Sequence, residues 1–379
     1  MPNNSNRSFL GRLIPKSDKD SSSDGISTHF TEALARYLEG GKEDTKLINL
    51  RGSEVQPALQ YMQRLYDEDR RWETFTNKHC KAPAKKSRLV HVIVKLSQQS
   101  GELPQSLYLR VNLTNRDAER GGGFADIFRG RLRNHDVALK RLRYFCNMTS
   151  EERQQNSMDF AREALLWRQM KHENVLEFHG IDMVQFPSMP CMVLPWVEHG
   201  NIRHYMKNAP SECSVAQRNK WLSQTANGLT YLHEQNVVHG DVRGANIMIS
   251  LDKIAKLADF GLSVFAGERS RSFHSQRGGV ERWMAPELLD PDLPSSRPTK
   301  MSDVYSFGVL CCEIYSASDP YWETDNDKHV GKMIVAGVRP TIPSNMDNWF
   351  SALATECWNA EINKRPTISD VAARLSTVI

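Results

Sequence analysis

The stretch that decides the fold is His239-Gly-Asp-Val-Arg-Gly-Ala-Asn-Ile-Met-Ile-Ser-Leu-Asp-Lys-Ile-Ala-Lys-Leu-Ala-Asp-Phe-Gly261. Within it a carboxylate and a carboxamide, Asp241 and Asn246, stand five residues apart on a loop that follows Asn236-Val-Val. Asp259 comes 13 residues after Asn246, and Ile247 to Ser250 and Lys253 to Leu257 fill the interval. That spacing suits a hairpin turning at Leu251 and Asp252, which brings Asn246 and Asp259 to one end of it. Two oxygen ligands at one point are what magnesium on a nucleotide phosphate needs. Asp241 is then the carboxylate left to receive or orient an acceptor hydroxyl.

Upstream, Arg120-Gly-Gly-Gly-Phe-Ala-Asp-Ile127 places three glycines before a strand, where the backbone can approach a phosphate closely. Thirteen residues after Ile127, Lys140 ends the apolar stretch Val137-Ala-Leu. Glu163 follows 23 residues later in Asp159-Phe-Ala-Arg-Glu-Ala-Leu-Leu-Trp167, so a Lys to Glu pair could position the lysine for phosphate. Taken singly, a Gly-rich turn is a turn and each charge is a surface charge. The ordered set carries the argument, and Met284-Ala-Pro-Glu287, Ser302-Asp-Val-Tyr-Ser-Phe-Gly308 and Lys364-Arg-Pro366 extend it.

In this order and at these spacings, the parts resemble the eukaryotic protein kinase superfamily from about residue 114 to 379. Trp283-Met-Ala-Pro-Glu, Cys357-Trp358 and Lys364-Arg-Pro are most similar to the tyrosine-kinase-like (TKL) group. The leader with Ser100-Gly-Glu-Leu-Pro-Gln resembles that of such kinases in mushroom-forming fungi. The resemblance implies an α+β, bilobal protein-kinase fold with a β-rich small lobe and a larger helical lobe, preceded by a helical leader. It implies ATP and magnesium as cofactors and a protein hydroxyl as acceptor. Gly122 and Gly123 would cover the phosphates, and Lys140, held by Glu163, would grip two of them. Asp241 would act on the acceptor, and Asn246 and Asp259 would hold the metal. Ile127, Ala138, Leu194, Trp196, Val197 and Met248 complete the nucleotide-binding set. Leu194 gates the back of the pocket, and Pro195, which has no N–H, passes the hinge donor to a neighbour such as Val197. Arg365 is expected to pair with Glu287, and Asp303 to anchor the catalytic loop.

Several positions depart from the family pattern. Arg120 and Ala125 replace glycines, and Gly240 replaces an arginine that in many kinases binds a phosphate on the activation segment. Activation therefore need not depend on such a phosphate, although Ser263, Ser270, Ser272 and Ser275 lie in that segment. Val280 and Arg243 stand where Ser/Thr kinases often carry threonine and lysine. The absence of proline near 281 favours Ser/Thr acceptors over Tyr. A catalytically weak scaffold that only binds ATP is the competing expectation, motivated by Arg120 and Gly240.

Composition sets the outer limits. The 379 residues, 40% hydrophobic and 25% charged, suit two or three soluble modules and exclude a fibre or a mostly disordered chain. The formal charge of +4 lies wholly before Ser106, with 17 Lys and Arg against 13 Asp and Glu there and 32 of each afterwards. It therefore gives no support to nucleic acid as a substrate. Residues 1–25 read as a disordered tail and 26–105 as a helical region, with apolar spacings at 26, 30, 34, 37 and 38 and at 55, 59, 62 and 66. Asp67 to Arg71 reads as a solvated face, and Leu89 to Leu96 could be helix or strand. The basic run Lys78 to Arg88 reads as an exposed linker, with docking to a partner or an anionic surface as its alternative. Asp126 to Arg133 and His135 to Arg143 read as strands joined at Asn134, and Ser157 to Lys171 as a helix with an apolar stripe of Phe160, Ala164, Leu165 and Trp167.

The seven cysteines show no C-x-x-C pair, and the start carries no apolar signal core, so a reducing, cytoplasmic or nuclear setting is expected. The longest apolar run, Val304 to Ile314, is short for a membrane span and carries Glu313. His233-Glu and His172-Glu lack the His spacing of a zinc hydrolase. Asn112 and Asn147 match glycosylation sequons, which matter only in a secreted chain.

Overall fold

A computed structural model describes residues 26–42, 44–121, 125–142, 149–186, 189–259, 264–265, 280–293 and 297–378. They fall into two compact units: the chain up to Met170 together with Glu177–Trp196, and Lys171–Leu176 together with Val197–Ile379.

The first unit opens with helices. Ser27 caps α1 (Thr28–Leu38) by accepting from the Phe30 N–H at 3.2 Å, and Asp44 caps the short α2 (Thr45–Ile48). Helix α3 (Val55–Asp67) ends where Glu68 turns extended, and α4 (Asp69–His79) begins at once. Helix α5 (Lys86–Ser100) ends at Gly101, whose φ of +74° is the left-handed conformation that glycine adopts without penalty. The segment Leu89 to Leu96 is thus helical. It buries Leu89, Val90, Val92, Ile93, Val94 and Leu96, so its apolar residues run round the helix and leave no clear period. The basic run holds the expected linker at its centre, a mostly exposed connection over residues 80–85, and its two ends belong to the last turn of α4 and the first turn of α5.

The seven-stranded sheet of the same unit has the order β1 (Tyr108–Leu109), β6 (Gly180–Asp182), β7 (Cys191–Pro195), β5 (His135–Leu142), β4 (Ala125–Leu132), β2 (Asn112–Leu113), with β3 (Arg120–Gly121) also paired to β4. Only β1 and β6 run parallel. Strands β4 and β5 turn through Arg133, at φ +55°, and Asn134. Alternation along β5 sends Val137 and Leu139 into a core with Val111, Phe128, Cys191 and Val193, and leaves Ala138 and Lys140 on the opposite face. Helix α6 (Ser150–Gln169) begins seven residues before the expected Ser157.

The second unit is mainly helical. It contains α7 (Ile202–Asn208), α8 (Val215–Glu234), α9 (Pro286–Leu289), α10 (Lys300–Ser316), α11 (Asp327–Val335), α12 (Asn348–Cys357) and α13 (Ile368–Ser376). Between them lie β8 (Val237–Val238), the antiparallel pair β9 (Ile247–Ile249) and β10 (Ala255–Leu257), and β11 (Val264–Phe265) against β8. Helix α10 packs on α12 and α8, and Val304 to Tyr315 are all buried, which makes this apolar helix the centre of the unit. No helix among the described residues is long and apolar enough to cross a membrane.

Candidate active site

The sequence-predicted residues form two groups, one in each unit. In the first, the sheet register decides which side chains share a face. Ile127 pairs with Lys140 and Lys140 with Met192, while Ala138 pairs with Arg129 and Leu194. Ile127, Ala138, Lys140 and Leu194 therefore lie on one face of the sheet. There Lys140 Nζ meets Glu163 Oε1 of α6 at 2.8 Å, and the two side chains are 9% and 5% exposed. Desolvating two opposite charges costs several kcal/mol per ion and is offset only by close geometry. Such a pair is weak evidence for stability and better evidence for a placed charge. Trp167, one turn beyond Glu163, brings its ring to 5.9 Å from the same ammonium. At the end of β7 the Trp196 N–H donates to the Asp136 carbonyl at 3.2 Å.

In the second unit, β9 and β10 form the expected hairpin with its turn at Leu251 and Asp252. The Ala258 N–H donates to the Asn246 carbonyl at 2.8 Å, which sets Asp259 beside Asn246 at the open end of the hairpin. Asn246 Nδ2 donates to the Asp241 carbonyl at 2.9 Å and to Asp241 Oδ2 at 2.7 Å. Arg243 Nε lies 3.0 Å from Asp241 Oδ1. Burial pushes the Asp241 carboxyl above its ordinary range and the Asp259 charge adds to this, while Arg243, His239 and the Asn246 amide oppose it. Asp259 itself has φ +69°, a conformation that an L residue adopts at a cost and that marks a constrained site. Met248 sits mid-hairpin opposite Lys256 and bridges to Asn201.

The loop carrying Asp241 is held from below by α10. Asp303 accepts from the His239 N–H and the Gly240 N–H, each at 2.8 Å, and lies 2.8 Å from His233 Nε2. Gly240 has φ +80°, so glycine removes the strain a side chain would bring there. Arg365 grips Glu287 through two bonds of 2.7 and 2.8 Å, as expected. The sequence reading missed Glu313. This carboxylate accepts from the Gly244 N–H at 2.9 Å and from Trp283 Nε1 at 2.7 Å, and Arg203 Nε lies 3.5 Å away. A β-carbon on Gly244 would come within 2.6 Å of Glu313, so the close approach requires glycine. The available signal was one acid inside the run Val304 to Ile314.

Gly122, Gly123, Ser263, Ser270, Ser272 and Ser275 lie outside the residues whose side chains are described. No cluster of three or more His, Cys, Asp or Glu among the described residues could hold a metal. Magnesium keeps several waters and takes phosphate oxygens besides one or two protein groups, so the pair Asn246 and Asp259 fits it better than a full protein cage would. The face Asp67 to Arg71 is solvated as expected from Glu68 to Arg71, where exposed Asp69 also pairs with Lys86 at 2.6 Å, whereas Asp67 is half-buried and reaches Arg168 at 3.0 Å. Arg88 also turns inward, onto the Tyr37 and Gly41 carbonyls, whereas Lys78, Lys81 and Lys85 are exposed.

Known proteins are similar to this chain in sequence. Over 259 residues the chain is 32% identical to a putative serine/threonine-protein kinase/receptor, R831, of Acanthamoeba polyphaga mimivirus, covering 68% of this chain and 15% of that protein. It is 29% identical over 269 residues to the probable serine/threonine-protein kinase pats1 of Dictyostelium discoideum (67% and 8%). With serine/threonine-protein kinase STY46 of Arabidopsis thaliana it shares 26% over 260 residues (68% and 42%). The chain thus spans less than half the length of these curated relatives. Residues 118–375, the greater part of the chain and the stretch that holds Lys140, Glu163, Asp241, Asn246 and Asp259, match the family described as protein tyrosine and serine/threonine kinase, and the chain belongs to that family.

Proposed function

We propose that the chain is an active ATP-dependent protein kinase that phosphorylates Ser and Thr side chains, with its catalytic domain over 114–379 and the helical region 26–105 as a leader. The observation that carries this reading is the buried Lys140 to Glu163 pair at 2.8 Å, a desolvated cation fixed on the sheet face that also bears Ile127, Ala138 and Leu194. A scaffold that binds no nucleotide would have no use for that charge, and turnover separates an enzyme from one that only binds ATP.

In this reading Lys140 binds phosphate oxygens, and Gly122 and Gly123 approach them through the backbone. Leu194, Trp196, Val197 and Met248 border the base. Asp241 accepts the hydrogen of the acceptor hydroxyl and orients its oxygen, while Asn246 and Arg243 hold the carboxylate in place. Arg243 also favours the ionised form that the role requires, against the pull of burial. Asn246 and Asp259 would hold magnesium, which when bound neutralises charge on the phosphates. Support for Ser/Thr acceptors comes from the names of the relatives and from Glu281, where a Tyr-specific kinase would usually show proline nearby. Any docking of an anionic partner through the leader would rest on Lys78, Lys81 and Lys85. Salt-dependent lipid or polyanion binding unchanged by neutralising Lys81 and Lys85 would dismiss it.

The test is ADP release with protein substrates, comparing the parent chain with Lys140→Met and Asp259→Asn. Turnover by the parent alone is expected, and equal background from all three would overturn the enzyme reading. Mapping of the phosphorylated residues should find Ser and Thr. Tyr alone would overturn the acceptor class.

A further inference from the structure

Along Phe160 to Trp167, helix α6 has no solvent face, since all eight residues are buried. The expected stripe of Phe160, Ala164, Leu165 and Trp167 accounts for part of this burial, and Ala161 and Leu166 belong to the rest. One side of α6 meets the sheet at Lys140, and α5 of the leader packs against the helix as well. The leader also holds the helix by its last turn. Tyr66 Oη donates to the Gln169 carbonyl at 2.6 Å, and Gln169 Nε2 donates to Gln63 Oε1 at 3.0 Å, with both amide side chains buried. Arg168 Nη2 lies 3.0 Å from Asp67 Oδ2, which also accepts from Gln63 Nε2 at 3.2 Å.

The last carbonyls of a helix lack partners within it, so a hydroxyl fixed on one of them sets the height of the whole helix. Arg168 and Gln169 are neighbours in sequence and point about 100° apart, so anchoring both also fixes rotation. Glu163 lies five residues earlier, roughly 8 Å up the same rigid rod. Lys86 buttresses the clasp: its Nζ donates to the Tyr66 carbonyl at 3.3 Å, lies 5.5 Å from the Tyr66 ring centroid and pairs with Asp69.

We propose that Gln63, Tyr66 and Asp67 of the leader are positioning residues for phosphoryl transfer, which set the height and rotation of α6 and so keep Glu163 paired with Lys140. The proposal rests on the reading that this pair serves catalysis. It differs from a role as glue between leader and sheet, because glue would affect unfolding and leave turnover per folded molecule unchanged.

The experiment uses the full chain. Tyr66→Phe removes one hydroxyl, Gln63→Leu removes the amide, and Asp67→Arg with Arg168→Asp exchanges the charges. Turnover, KM for ATP and for the protein substrate, and thermal unfolding are measured for each variant. The single variants are expected to lose about fivefold to thirtyfold in kcat with little change in protein-substrate KM. The double exchange should regain most of what either charge change alone removes. In a Glu163→Gln background Tyr66→Phe should cost nothing further, because both act through one contact. Single variants that unfold earlier yet keep parental kcat, or losses additive with Glu163→Gln, would overturn the proposal. Should Tyr66→Phe fail to fold, or the background be too slow to compare, the charge exchange decides: no recovery counts against positioning. If Glu163→Gln itself leaves kcat unchanged, the catalytic reading fails. If Glu163→Gln is slow while the leader variants keep parental kcat, only the positioning proposal fails.

Discussion

The two units hold their functional side chains by different means. On the sheet, Lys140 is placed through its side chain, by Glu163 and Trp167 of a helix, and that helix meets three leader side chains at its last turn. In the helical unit, the loop around Asp241 is placed through its backbone: the N–H groups of His239, Gly240 and Gly244 all donate to buried carboxylates of α10. A side-chain pair can open when a helix shifts or turns by a fraction of a turn. A loop pinned by three backbone donors to one buried helix moves only if that helix moves. The difference locates adjustability in the first unit and rigidity in the second.

The largest effect that would test this contrast comes from breaking the side-chain pair. Lys140→Met takes the Lys140 charge away from buried Glu163, so stability should fall by about 3–5 kcal/mol and turnover should be lost. Adding Glu163→Leu removes the stranded carboxyl, and stability should return to near the parent level while activity stays absent. Denaturant midpoints and ADP release separate the two. If the double variant were as unstable as the single one, the pair would be a stabilising device and the contrast would fail.

A smaller effect is expected from one pin of the loop. Asp303→Asn keeps the shape but leaves one oxygen for two backbone donors and turns an NH2 toward the other, at a cost of about 1–3 kcal/mol. Loss of stability and of kcat should go together here, because the loop and the core helix are one assembly. A variant with parental stability and lowered kcat would show that the loop is adjustable after all.

Much of this was legible in the sequence for physical reasons that differ by residue. Asn246 and Asp259 could be brought together because a short hairpin has few geometries, and Lys140 could be placed because strand alternation fixes its face. The resemblance supplied Glu287 with Arg365 and Asp303 with the loop, which composition and period could not. The leader was less legible. Helix α5 is buried along most of Leu89 to Leu96, so its period is hidden, and Asp67 reads as a solvent-facing charge because its partner Arg168 lies 101 residues away. Glu313 was passed over since a single acid in an apolar helix reads as an interruption until its donors from distant loops are seen.

Glu313 offers the smallest and most discriminating test. Burial pushes its carboxyl up from the ordinary 4.5 to about 7, with Asp319 adding to the rise and the Gly244 N–H, Arg203 and Trp283 opposing it. The folded chain therefore holds a proton there that the unfolded chain has released over that interval. Its contribution is fully present below about pH 4.5 and is lost as pH rises through about 7. Glu313→Gln removes the titration, while the amide oxygen can still accept from Gly244 and Trp283. The parent should lose stability relative to the variant as pH is raised from about 5 to 8, read as urea midpoints, with kcat near neutrality almost unchanged. Parallel pH profiles would mean that the donors keep Glu313 ionised throughout. A large fall in kcat would mean that the backbone pins depend on the full charge of α10, beyond its oxygen geometry.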